Sequence, residues 1–156
     1  ACVDGALRGE LGGTPWTGLL EAAEAAGSRA REEAEEKASD GEDAPETAPR
    51  AGGRAAEEGA RRVARRGRTE ALDLGLALIT AALRDLAAAA EGAEDLLLSV
   101  DRAEEIRSDA ADVDPRRARR GAELAIDTRR RLQVNVGEEL ALEALVFRLG
   151  ALLGRA

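Results

Sequence analysis

The sequence contains no histidine and a single cysteine. The first absence removes the commonest general base, the usual partner of a nucleophilic serine or cysteine, and the commonest metal ligand. The second rules out a thiolate metal cluster or a disulfide within one chain. That cysteine is Cys2, and a lone thiol fits a reducing cytosol. Aromatic residues are almost missing: Trp16 and Phe147 are the only two. There is no GxxxxGK[ST] phosphate loop and no GxGxxG after a strand. No apolar run is long enough to span a bilayer, and no secretory signal pattern is present. Carboxylates abound, but they fall on charged helix faces without a predicted cleft. The sequence therefore offers no catalytic residue, no metal site and no cofactor site.

What is present points to helices. The chain has 156 residues, of which 44% are hydrophobic and 35% charged. Much of the hydrophobic share is Ala, and the charged share is mostly Glu, Asp and Arg. Ala and Leu are strong helix formers, and no stretch alternates apolar and polar residues with β-branched side chains over strand length. The predicted fold is all-α, a bundle of about five or six helices with a core of Leu, Val, Ile and Ala. The formal charge of −8 gives no global attraction to nucleic acid or an anionic membrane. Its distribution is uneven. An acidic run covers Glu21 to Glu46, and basic clusters sit at Arg61 to Arg68 and Arg116 to Arg131. The chain opens on Ala1 rather than Met, which suggests a C-terminal fragment of a longer protein, or a processed or truncated form.

Three regions are expected: an N-terminal helical segment over 1–38, a flexible acidic linker over 39–53, and a main bundle over 54–156. In the first, Val3, Leu7 and Leu11 recur at helical spacing, and Thr14-Pro15-Trp16 reads as a helix start with Thr as N-cap and Pro at the first position. Beyond Ala26 the apolar face fades into a solvated helix. Ser39 to Gly53 has no periodicity, three glycines and two prolines, so it buries too little to offset its ordering entropy. From Arg54 a long helical pattern runs as one helix or as two meeting at Gly67. Leu72, Leu76, Ile79, Leu83 and Leu86 form its stripe, and Leu74 and Leu78 widen it. That breadth suggests partners on two sides, and Gly75 suggests a close helix crossing. Gly92 is a stop signal. Asp101 is expected to cap a brief helix carrying Ala103 and Ile106. Asp114-Pro115 is the clearest start signal. The helix after it presents Ala118, Gly121, Ala122, Ala125, Thr128 and Leu132, small residues that permit close approach.

The most regular apolar stripe lies in the last helix, which starts at Gly137 with Glu138 and Glu139 at the positive end of its dipole. Leu142, Leu145, Val146, Leu149, Leu152 and Leu153 recur at helical spacing. They are candidates either for the chain's own core or for contact with another subunit. The arginines are candidates for phosphate contact: Arg61, Arg62, Arg65 and Arg66 along one helix, and Arg116, Arg117, Arg119 and Arg120 at the start of another. No aromatic residue interleaves with them, so base stacking is not expected. A solvated face, or one that meets an acidic partner, is the alternative for both clusters.

The segment RRLQVNVGEELALEALVFRL, Arg130 to Leu149, resembles the end of the C-terminal collar domain of bacterial DNA polymerase III clamp-loader subunits. It is nearest to the delta-prime type, with gamma/tau next. The matching residues are Arg131, Leu132, Asn135, Leu140, Ala141, Leu142, Glu143, Leu145 and Leu149. This chain has Gly137-Glu138 where the family commonly has Asn-Pro. A second segment, Arg68 to Leu86, is similar to the collar helix that ends in Arg-Asp-Leu, here Arg84, Asp85 and Leu86. The Trp16 region looks like the first collar helix. The resemblance implies a non-catalytic assembly domain, cytoplasmic and part of the DNA-directed DNA polymerase III holoenzyme. It implies gamma/tau and delta subunits as direct partners, and the sliding clamp and primed DNA as partners through the complex. It also implies an AAA+ module ahead of this domain. No membrane partner is expected. A small helical nucleic-acid-binding protein using the Arg clusters is the alternative.

Overall fold

The computed structural model describes residues 2–40, 52–134 and 136–154. Among these residues there is no strand. The chain forms α1 (Cys2–Arg8), α2 (Thr17–Asp40), α3 (Gly52–Ala90), α4 (Ala103–Ala110), α5 (Pro115–Leu132) and α6 (Glu138–Leu153). Short 3-10 turns lie at Leu11–Gly13, Glu94–Leu96 and Val100–Arg102. The all-α expectation holds. Of the expected linker, Ser39 and Asp40 belong to α2 and Gly52 and Gly53 to α3, while positions 41–51 lie outside the described residues. None of the described helices is long and apolar enough to cross a membrane. The chain divides into two compact units, Leu19–Asp73 and Ala1–Gly18 with Leu74–Ala156.

The first unit is an antiparallel hairpin of α2 and the first half of α3, packed through its smallest residues. Ala23 and Ala60 are buried, whereas Val63, the one large apolar residue in that half of α3, is exposed. A Cβ added at Gly27 would lie 2.9 Å from the Ala64 carbonyl oxygen, and one at Gly67 would lie 2.9 Å from the Ala30 Cβ. Each glycine therefore lets its helix approach the backbone of the other, Gly27 at Ala64 and Gly67 at Ala26. That close approach explains Gly67, through which α3 runs unbroken. Arg68 and Glu24 form an ion pair across the hairpin.

The second unit holds the large aliphatic core. Leu76, Leu83, Leu142, Leu145, Val146 and Leu149 are its largest fully buried apolar side chains. The stripe expected on α3 is buried from Leu72 to Leu86, but Leu74 and Leu78 are each 61% exposed. At 100° per residue they stand about 200° from Leu76, on the opposite face, so they do not widen the buried stripe. The small-residue face of α5 is buried as expected at Ala118, Gly121, Ala125 and Thr128. A Cβ at Gly121 would sit 3.0 Å from Leu149 Cδ2 and 3.3 Å from Leu83 Cδ2. Gly121 is thus the point where α5 presses onto α6 and α3.

Capping follows the sequence in places and departs from it in others. The Asp114 carboxylate accepts the Arg116 backbone N–H at 2.8 Å, with Pro115 in the first turn. Gly137 precedes α6, and Gly92 ends the α3 region with φ +74°. Thr14 does not cap α2. It adopts φ +46° and closes the preceding 3-10 turn through its N–H to the Leu11 carbonyl. An N-cap needs extended backbone, so α2 begins three residues later, at Thr17. Asp101 likewise lies inside a 3-10 turn, and α4 starts after Arg102 without a side-chain cap. In α1 the buried positions are Gly5 and Ala6, and Val3 and Leu7 are only half-buried.

Among the described residues, Asp85 is the one charged residue in the core. Asp85 is fully buried. Its two carboxylate oxygens accept the backbone N–H groups of Leu98 and Ser99, each at 2.9 Å. A single side chain on α3 thereby pins the segment that leads to α4. Arg84 lies 3.3 Å from the same carboxylate, but it is half-exposed.

Candidate interaction surface

Helix α6 is apolar on two faces. The inner face carries Ala141, Leu142, Leu145, Val146, Leu149 and Leu153, all buried. The outer face carries Leu140, Ala144, Phe147 and Ala151, at steps of four, three and four residues. At 100° per residue these four fall within about 60° of one another, opposite the buried face. Leu140 is 65% and Phe147 48% exposed. Phe147 is nevertheless held in place, because its ring lies 5.9 Å from the ring of buried Trp16, tilted by 47°. Pairs of this kind favour an inclined geometry. On the Gly150 side, Leu11 approaches so closely that an added Cβ would lie 2.9 Å from its Cδ1.

A shallow groove of about 180 Å³ runs beside this stripe, between α5 and α6. Thr128 and Arg131 line it from α5, Val136 from the connection, and Leu140, Ala144, Leu145 and Arg148 from α6. Arg131 pairs with Asp127 at 2.8 Å. Arg148 is exposed, and no ion pair is found for it among the described residues. On the other flank of the stripe stand Glu139 and Glu143. The outer face of α6 is thus an apolar strip with a cationic edge toward α5 and an acidic edge away from it.

The six sequence candidates on this helix mostly face inward. Leu142, Leu145, Val146, Leu149 and Leu153 are buried in the chain's own core, and Leu152 is half-buried. The residues available to a partner are Leu140 and Phe147, which the stripe argument passed over.

The arginine candidates divide evenly. Arg61 pairs with Glu57 at 2.6 Å, Arg66 with Glu70 at 2.8 Å, Arg119 with Glu91 at 2.7 Å, and Arg120 with Glu123 at 2.5 Å. The Arg119 guanidinium, through its hydrogen bond, holds the Glu91 carboxyl below its usual range. Arg62, Arg65, Arg116 and Arg117 are exposed, and no side-chain ion pair is found for them among the described residues. The first cluster lies in the hairpin and the second in the larger unit.

Three carboxylates that sequence reading did not connect, Asp4, Glu105 and Asp109, offer oxygens within 4.8 Å of one another. Glu105 and Asp109 share a face of α4 at i,i+4, but nothing in the sequence ties Asp4 to them. Glu105 is also engaged by Arg102, through bonds of 2.9 and 2.8 Å. Cys2 is half-buried and its thiol donates to the Pro15 carbonyl at 3.1 Å. Burial pushes its pKa up, which is the opposite of what a reactive thiolate needs. No family model, curated protein or solved structure matches the chain.

Proposed function

We propose that this chain is a non-catalytic assembly module, and specifically the C-terminal collar domain of a delta-prime-like clamp-loader subunit. The observation that carries the reading is the outer face of α6. Leu140 and Phe147, two turns apart, each leave a large apolar side chain exposed on a helix whose inner face already closes the core. A surface helix ordinarily carries one apolar face and a polar opposite face, and α6 carries a second apolar strip between its charged edges. Contiguous exposed apolar residues mark an interaction site more often than scattered ones do. The helical architecture and the Arg130 to Leu149 segment supply the clamp-loader form of the proposal. In that form the domain joins gamma/tau and delta subunits in a ring and acts on the sliding clamp and primed DNA only through the complex.

Mixing the chain with gamma/tau and delta subunits should give a complex that co-elutes on size exclusion at low salt. Leu140→Glu should abolish it. Glutamate in the first turn of α6 suits the helix dipole, so this change leaves the fold intact. Absence of co-elution sinks the clamp-loader form. The nucleic-acid reading rests on Arg62, Arg65, Arg116 and Arg117, since carboxylates occupy the other four. It predicts salt-sensitive binding of primed DNA by the chain alone, and no shift at low salt eliminates it.

A further inference from the structure

We propose that the groove between α5 and α6 receives an apolar side chain from an acidic helical segment of a partner protein. The groove has a volume of about 180 Å³. An apolar cavity of roughly 150 Å³ admits a benzene ring, so there is room for one Leu or Phe side chain. Its lining is aliphatic at Val136, Leu140, Ala141, Ala144 and Leu145 and cationic at Arg131 and Arg148. Among the described residues, no carboxylate belongs to its lining. Arg131 is already neutralised by Asp127, which leaves Arg148 as the charge to be met. A partner helix that seats an apolar anchor in the groove brings its residues at i+3 and i+4 within reach of that guanidinium. A carboxylate there completes the match.

The acidic flank fixes the direction of approach. Glu143 stands about 140° around α6 from Arg148. An acidic partner is therefore repelled from the Gly150 side and drawn to the α5 side. The chain as a whole is acidic, at −8, so long-range steering opposes the encounter. The attraction acts only within about a Debye length, roughly 8–10 Å at ordinary ionic strength. Binding is consequently expected to be salt-sensitive and specific to the groove. The inference rests on the assembly-module reading but not on its clamp-loader form.

The test uses the full chain and fluorescence anisotropy. The probe is a fluorescein-labelled model helix with Leu along one face and Glu elsewhere, beside a twin with Lys for every Glu. The Glu probe should bind at least about 10-fold tighter than its twin at low salt. Arg148→Glu should remove or invert that preference, and Leu140→Glu should abolish binding of both. Thermal melts should show both variants folded, and Arg29→Glu, exposed on α2 and remote in sequence from the groove, should leave affinity unchanged. Equal binding of the two probes, or no effect of Arg148→Glu, overturns the proposal. So does a concentration-dependent dimer in sedimentation that Leu140→Glu disperses, because the occupant is then a second copy. If the probe binds and clamp-loader subunits do not, only the clamp-loader form fails. If the subunits assemble through Leu140 and the probe does not bind, only this inference fails.

Discussion

Replacing Asp85 by Ala removes the acceptor that holds two backbone N–H groups, and the structure sets the size of the effect. Both bonds are 2.9 Å long, and the side chain that accepts them is fully buried. Hydrogen bonds to a charged acceptor contribute about 1.5–3 kcal/mol each, and a buried donor left unmatched forfeits about 1–3 kcal/mol. Leu98 is exposed and Ser99 half-buried, so water reaches part of the vacated site and moderates the loss. The expected cost of Asp85→Ala is about 2–4 kcal/mol, a large share of the roughly 5–15 kcal/mol that holds a domain together. Asp85→Asn should cost about 1–3 kcal/mol, because an amide keeps one acceptor and turns its NH₂ toward the second donor. Arg84→Ala should cost less than about 0.5 kcal/mol, since that ion pair is long and half-exposed. Urea unfolding of the three variants gives the stabilities. Hydrogen exchange at Leu98 and Ser99 reports whether the loop has come away. A cost for Asp85→Ala no larger than that for Arg84→Ala would refute the anchor.

Three further substitutions and one chemical modification have expected outcomes. Gly121→Ala should destabilise by about 1–2 kcal/mol, because crowding against Leu149 and Leu83 exceeds the helix-propensity gain. Gly59→Ala, where an added Cβ meets nothing within 4 Å, should stabilise by about 0.5–1 kcal/mol in the same melts. Glu94 accepts two bonds of 2.8 Å from Arg107, and that hydrogen bonding lowers its pKa from 4.5. A carboxyl depressed in the folded state contributes stability above its unfolded pKa, which is lost as pH falls through the folded value. Glu94→Gln should therefore flatten part of the acid limb of a stability-versus-pH profile below about pH 4.5 and leave its shape near neutrality unchanged. For Cys2, alkylation at pH 8 should run slower than for an unfolded control, because burial raises its pKa and the thiol is engaged by Pro15.

What could be read from the sequence depended on whether a residue's neighbours along the chain determine its fate. Helix starts were legible where the signal is local and self-contained. Asp114 caps α5 because its partner, the Arg116 N–H, is two residues away. Thr14 looked like the same signal and is not, because Leu11–Gly13 claims it first. The small-residue face of α5 was legible because Ala and Gly at helical spacing have no other structural use. The hairpin contact at Gly27 and Gly67 was only half legible: the sequence allows one helix or two meeting at Gly67, and only its partner on α2 shows that the glycine serves a close crossing in one continuous helix. Asp85 was quoted as part of a motif without a structural role. Its partners lie 13 and 14 residues away in irregular backbone, and no periodicity encodes that.

The outer face of α6 was illegible for a different reason. Periodicity identifies an inner face by contrast with a polar outer one. Here Leu140, Ala144, Phe147 and Ala151 fill the outer positions, so contrast is lost and two apolar stripes compete. Choosing the longer stripe selected the residues that close the core. That failure of contrast is itself informative. A helix at the surface of a bundle gains nothing for its own fold from Leu140, which stays 65% exposed. Leu140→Glu and Phe147→Glu separate the two roles. Leu140→Glu should leave the melting temperature within about 2 °C, as surface changes away from special features stay within about 0.5 kcal/mol. Phe147→Glu should lower it, because Trp16 loses its ring contact, worth about 0.5–1.5 kcal/mol beyond area. A comparable fall for Leu140→Glu would mean that this stripe belongs to the core after all, and the interaction surface would then have to be sought elsewhere.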